Sequence, residues 1–249
     1  MRRSKLHSAL ACAAGLLLLA LIIQAASALK GDRLVFPSVP AILRALGALL
    51  SRPKTWRQIG TTLVHLLLCM GISTCVGILI GLAEGILPLL RQLLRPAMTL
   101  LRSLPMIVLI ILLMVVSDYR HVPVLAGCFV LVPLISEAAC EGCLRIEPEL
   151  MDVWRLNSRL SLPVIRQVYL PLMAGYLKQS YVNAAGMGLK LAVTAEYLVQ
   201  TRDSLGKAVY SSVYFNEYAE VYAYALIMVA LVLLLSEAPL LLVKNAPDR

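Results

Sequence analysis

Lys190 and Glu196 stand inside an otherwise apolar segment, Gln179–Val199. At membrane depth an ionisable side chain costs about 3 kcal/mol or more unless it faces a cavity or a partner, so both are candidates for lining a polar path. Six positions apart, they fall about 240° round a straight helix and do not pair with each other. Glu196 has a second reading, as a wetted group near the end of its segment. A cationic Lys190 would favour an anionic solute. Cys140 and Cys143 form a C-x-x-C, but a zinc site needs two more ligands at suitable spacing. His7, His65 and His121 are distant in sequence. The sequence contains no G-x-S-x-G, no H-E-x-x-H and no G-x-x-x-x-G-K-[ST] to cradle phosphates. We therefore expect no catalytic residue, no cofactor and no metal site in this chain.

The elements around these residues must be membrane helices. Of 249 residues, 60% are apolar and 15% charged, and the mean hydropathy is +0.82. Soluble domains are about 45–50% apolar and about 25% charged. Disorder is excluded by the same apolar content. The net charge of +9 lies between apolar runs, where Lys and Arg meet lipid headgroups rather than nucleic acid. The six cysteines lie mostly within those runs and act there as small hydrophobes.

Residues 1–29 open with Arg2, Arg3 and Lys5 and continue uncharged from Ala9 to Leu29. They read as a retained first helix, long enough to span, or as a signal-like segment cleaved near Ala26-Ser27-Ala28. Residues 30–57 form an outer connection, with a turn at Phe36-Pro37-Ser38-Val39-Pro40 and a short amphipathic helix over Ala41–Leu50. A membrane-helical core over 58–243 would follow. Its second span is Gln58–Ala83, where Gly77 and Gly81 have the spacing that lets helices approach closely. A basic stretch with Arg91, Arg95 and Arg102 precedes the third run, Ser103–Ser117, and Val122–Ser136 is the fourth. Residues 137–178 form the largest polar insert. After the weaker segment 179–199 come a polar loop, Gln200–Glu217, the last span, Tyr218–Val243, and a tail, 244–249. The fold class expected is all-α integral membrane with six spans. Lys and Arg weigh towards segments that would be cytoplasmic with an inside N-terminus, although the outer 30–57 segment is also basic. The aromatics Tyr210, Tyr214, Phe215, Tyr218, Tyr222 and Tyr224 read as an interfacial belt.

Within the insert, Glu147-Pro148-Glu149 opens a short helix, with proline and acids suited to a first turn. Leu150, Val153, Trp154 and Leu160 fall near one face. The helix breaks around Asn157-Ser158, and a second helix runs from Ser161 and Pro163 through Arg166 to Leu170-Pro171. An aromatic anchor beside charges suits a partner-docking helix.

These residues resemble the EAA loop of ABC importer permeases. Asp152-Val153-Trp154, then three residues, Ser158, nine residues, Val168, one residue and Leu170-Pro171 match its spacing. Asp replaces Glu, Val-Trp replaces Ala-Ala, and Ser158 replaces the loop glycine. Serine tolerates a left-handed backbone poorly, so either Asn157 takes that position or the turn closes without one. Glu137-Ala138-Ala139 is a literal EAA without a Leu-Pro at the required distance. Phe36-Pro37-Ser38, Arg102-Ser103-Leu104-Pro105 and Ala195-Glu196-Tyr197-Leu198 ahead of Ser204-Leu205-Gly206 are similar to the nitrate/sulfonate/taurine-type branch.

The resemblance implies a type I ABC importer permease fold with a cytoplasmic coupling helix in the loop 145–171. Glu149, Asp152, Val153, Trp154, Asn157, Ser158, Leu170 and Pro171 would engage a cytoplasmic ABC ATPase dimer. A periplasmic or extracellular solute-binding protein, a second permease subunit (as a homodimer) and membrane lipid complete the expected partners. The expected site is a bacterial inner membrane with both termini cytoplasmic. A self-sufficient secondary transporter, or a scaffold docking a non-ATPase partner, are the alternatives.

Overall fold

The computed structural model describes residues 35–145 and 165–244, and those residues contain helices and no strand. In chain order the helices are α1 (Val39–Leu50), α2 (Pro53–Ile86), α3 (Pro88–Ser103), α4 (Met106–Val116), α5 (Val122–Leu144), α6 (Leu170–Val199), α7 (Leu205–Tyr214) and α8 (Tyr218–Lys244). A wide π-helical turn, Ile165–Tyr169, leads into α6. Among the described residues α2, α5 and α8 are each long and apolar enough to cross a bilayer.

Prolines set the helix starts. Pro40, Pro53, Pro88, Pro123 and Pro171 all sit in first turns, where a missing amide costs no hydrogen bond. That is why α2 begins at Pro53, ahead of the expected Gln58, and α1 at Val39. The fourth span reaches Leu144 instead of ending at Ser136, since no proline lies between Glu137 and Leu144 and Gly142 stays helical with Met173 packed against it. Leu170-Pro171 does not end a helix but begins α6, whose thirty residues absorb part of the insert expected over 137–178. The π-turn lies immediately before Leu170-Pro171, the kind of local irregularity found where a proline interrupts helical hydrogen bonding. The loop expected over 200–217 contains α7, capped by Ser204.

The central contact is a parallel pair. Gly77 faces Ile135, Gly81 faces Ser136 and Ala139, and Gly85 faces Cys143, with both chains advancing together. A Cβ at Gly81 would fall inside van der Waals contact with the Ser136 carbonyl, so only glycine allows this approach. Gly71, off this stripe, has open space where its Cβ would be. α6 returns antiparallel along α5: Met173 packs on Gly142, Leu131 lies near Gly188, and Ala195 joins Val122 and Ala126. α8 runs antiparallel to α6, with Val232 near Gly186 and Ala223, Tyr224 and Ile227 in one cluster with Val193.

Because α2 and α5 are parallel, residues 88–121 must carry the chain back across. They do so as a broken crossing, α3 and α4 meeting at 102°. α4 alone, at eleven residues, rises only about 16 Å, short of the roughly 30 Å hydrocarbon core. The single straight span expected over 103–117 is thus replaced by a bent pair. Leu104 and Pro105 are extended at the bend, as a residue before proline tends to be. The ends of the bundle are distinct. At the near end α5 finishes and α6 starts, flanking residues 146–164. The far end carries α1 and α7.

Candidate coupling and translocation site

Glu196 lies in the last turn of α6 at the far end, with none of its surface exposed. Its Oε2 accepts hydrogen bonds from Thr62 Oγ1 at 2.8 Å and from the Gly206 amide at 3.2 Å. Its Oε1 lies 2.8 Å from His65 Nδ1. Thr62 Oγ1 in turn accepts from the Leu205 amide at 3.0 Å, and Ser204 Oγ accepts from the Lys207 amide at 3.2 Å. Three successive amides at the start of α7 are thereby satisfied by side chains, and a carboxylate sits at the positive end of that helix. A Cβ at Gly206 would come within 2.5 Å of Glu196 Cβ, so glycine lets α7 dock this closely. The turn into α7 uses left-handed backbone at Gln200 and Asp203.

Glu196 is therefore dry, and the reading of a wetted end group does not hold. Lys190 sits on the opposite side of α6 and is exposed. The two do not pair, as their spacing requires. Sequence reasoning singled out Ala195-Glu196 and Ser204-Leu205-Gly206 separately; the fold joins them into one hydrogen-bonded unit. It missed Thr62 and His65, more than a hundred residues away in sequence, for which no local signal exists.

Arg52 donates to Glu220 at 2.9 Å, Ser212 donates to Glu220 at 3.1 Å, and Arg57 lies 3.4 Å from Asp203. Tyr224 is buried and donates to Gln58 at 3.3 Å. Tyr197, Tyr210, Tyr214 and Phe215 touch in series with ring centroids 5.2–6.4 Å apart, stacked between Tyr210 and Tyr214 and edge-to-face at the other two contacts.

At the near end a groove of about 600 Å³ opens between α3 and the last turns of α2 and α5. Arg102 bridges it, donating to Glu137 and to the Pro133 carbonyl. The literal Glu137-Ala138-Ala139 thus lies within α5 and fastens the bend. Ser136 donates to the buried Glu84 at 3.1 Å. Cys143 is buried against Gly85 and lies 3.1 Å from Met173 Sδ, while Cys140 lines the groove. Leu170 and Pro171 sit exposed at the start of α6. Glu149, Asp152, Val153, Trp154, Asn157 and Ser158, with the backbone angles expected there, lie outside the described residues, as do residues 1–29.

Comparison with known proteins adds three findings. The family described as "Binding-protein-dependent transport system inner membrane component" matches residues 73–245. A solved structure titled "Inward facing conformations of the MetNI methionine ABC transporter" superposes with a TM-score of 0.64 at 19% identity, covering 80% of this chain and 100% of that one. No curated protein matches significantly.

Proposed function

The chain belongs to the family of binding-protein-dependent transport system inner-membrane components, and on that premise we propose how it works as the multi-pass permease subunit of an ABC importer. The family match over residues 73–245 carries this reading, and the shared fold agrees with it. With no P-loop in this sequence, ATP binding and hydrolysis fall to a separate cytoplasmic ATPase dimer. The near end faces that ATPase. Glu149, Asp152, Val153, Trp154, Asn157 and Ser158 form the docking helix, and Leu170-Pro171 pass its movement into α6, a single rigid element. Both termini are then cytoplasmic, provided residues 1–29 are retained as a span.

A second, identical permease subunit completes the path, and a solute-binding protein delivers cargo at the far end. ATP-driven closure of the ATPases switches the pair between outward- and inward-open packings. Lys190, turned away from its own bundle, lines that path and favours a small anionic solute such as nitrate, a sulfonate or taurine. Glu196, with no exposed surface, contributes by fixing α7 rather than by lining the path.

Co-expression and purification test the reading: an ABC ATPase should co-purify, and solute should stimulate its ATP hydrolysis after reconstitution. Trp154→Asp should abolish both association and uptake. Full uptake with aspartate at that position would overturn the coupling assignment.

A further inference from the structure

α3 differs from the other long helices in having no buried residue. Its leucines and arginines nevertheless occupy separate faces. Leu89, Leu93 and Leu100 fall within about 40° of one another, and Arg91, Arg95 and Arg102 lie about 200–240° from Leu89. The leucines are 80%, 70% and 65% exposed, while the arginines line the groove. α4, all apolar and largely exposed, stands at 102° to α3. A helix at right angles to an embedded one runs along the bilayer surface, its leucines in the acyl region and its arginines at headgroup level.

The charges of the groove balance in number but not in pairs. Three arginines and three glutamates line it. Arg102 is paired with Glu137, and Glu84 accepts from Ser136. Arg91, Arg95 and Glu141 have no hydrogen-bond or ion-pair partner among the described residues. Among the described residues, two exposed cations and the exposed anion Glu141 without an ion-pair partner, besides the buried Glu84, line a space of about 600 Å³, within the roughly 300–1,000 Å³ usual for small-molecule sites. A purely anionic headgroup would leave Glu141 unpaired beside it. A zwitterion carrying phosphate and ammonium satisfies all three.

We propose that the groove between α3 and α5 holds the headgroup of an ethanolamine phospholipid. Arg91 and Arg95 engage the phosphate, Glu141 engages the ammonium, and the acyl chains run beside the leucine face of α3. The site staples the bent crossing to the bilayer surface. It requires only that the chain is a membrane protein, and is independent of solute identity and of the coupling assignment.

The test uses the full-length chain in nanodiscs of phosphatidylcholine with equal parts phosphatidylethanolamine and phosphatidylglycerol. Lipid retained after detergent stripping is read by native mass spectrometry. Phosphatidylethanolamine should be retained over phosphatidylglycerol. Arg91→Gln/Arg95→Gln should lower its retention by about fivefold, the size expected for losing exposed charge-assisted contacts. Glu141→Gln should erase the preference between the two lipids. Equal or greater retention of phosphatidylglycerol by the unaltered protein overturns the proposal, as does unchanged retention in the double variant. If the double variant keeps its phosphatidylethanolamine but loses a co-purifying ATPase, the groove belongs to a protein partner and the proposal falls.

Discussion

The two ends of the bundle treat charge in opposite ways. At the far end Glu196 is sealed, and its oxygens meet a hydroxyl and an imidazole from α2 and an amide from α7. At the near end Arg91, Arg95 and Glu141 stand open on a groove with no partner among the described residues. A buried charge must be fully satisfied because its desolvation is large, so the far end behaves as one locked block. An exposed charge keeps its water until a partner arrives. The near end is therefore where binding can change the molecule at low cost.

Removing the lock should produce the largest effect. Glu196→Ala strands the buried Thr62 hydroxyl and the Gly206 amide, and should cost roughly 3–5 kcal/mol. Thermal unfolding of the purified protein in detergent measures it, and a loss below 1 kcal/mol would mean that the far end is not held by this carboxylate. Next come the close approaches. Gly81→Val and Gly206→Val insert atoms where backbone already touches, so each should cost about 1–3 kcal/mol or more. Gly71→Ala, with open space around it, should stay within about 1 kcal/mol of the parent. Equal losses at Gly71 and Gly81 would remove the argument for glycine-mediated packing.

At the near end, Arg102→Gln breaks a half-exposed pair with Glu137 and should cost only about 0.2–1 kcal/mol. Its readout is spin-label distances across the bend between α3 and α4, which should broaden while the melting temperature barely moves. The smallest expected effect concerns pH. Glu217, just before α8, has its carboxyl pushed above the ordinary value chiefly by the neighbouring Glu220, with burial adding to the shift and Arg52 opposing it. The folded state then holds this proton more tightly than the unfolded chain does. Stability is favoured at acid pH and declines as pH rises from the unfolded carboxylate pKa through the raised folded value. Glu217→Gln should flatten that decline, and an unchanged pH profile would show that the repulsion is relieved by water.

Much of the architecture was legible because lipid leaves few options. Runs such as 58–83 and 218–243 had to be helices, and Gly77 and Gly81 announced a close contact. The errors lie where periodicity carries no information about continuation. Glu137–Leu144 holds two glutamates and Gly142 but no proline, so α5 runs on. Leu170-Pro171 resembles a stop, yet proline in a first turn is a start. The bend at Leu104-Pro105 was hidden because α3 and α4 together contain enough apolar residues for one straight span.

For the site, the motif around Glu196 could be found but its chemistry could not. A lone acid in an apolar run reads as a path residue, a wetted end or a structural anchor with equal economy. Composition and spacing by themselves settled the solvent and the helical class, since each follows from residue type along the chain. Only the packing of distant segments decided that Thr62 and His65 would close on Glu196 and that α2 and α5 would run parallel. Those outcomes depend on which faces meet between segments far apart in sequence, and no local pattern encodes that meeting.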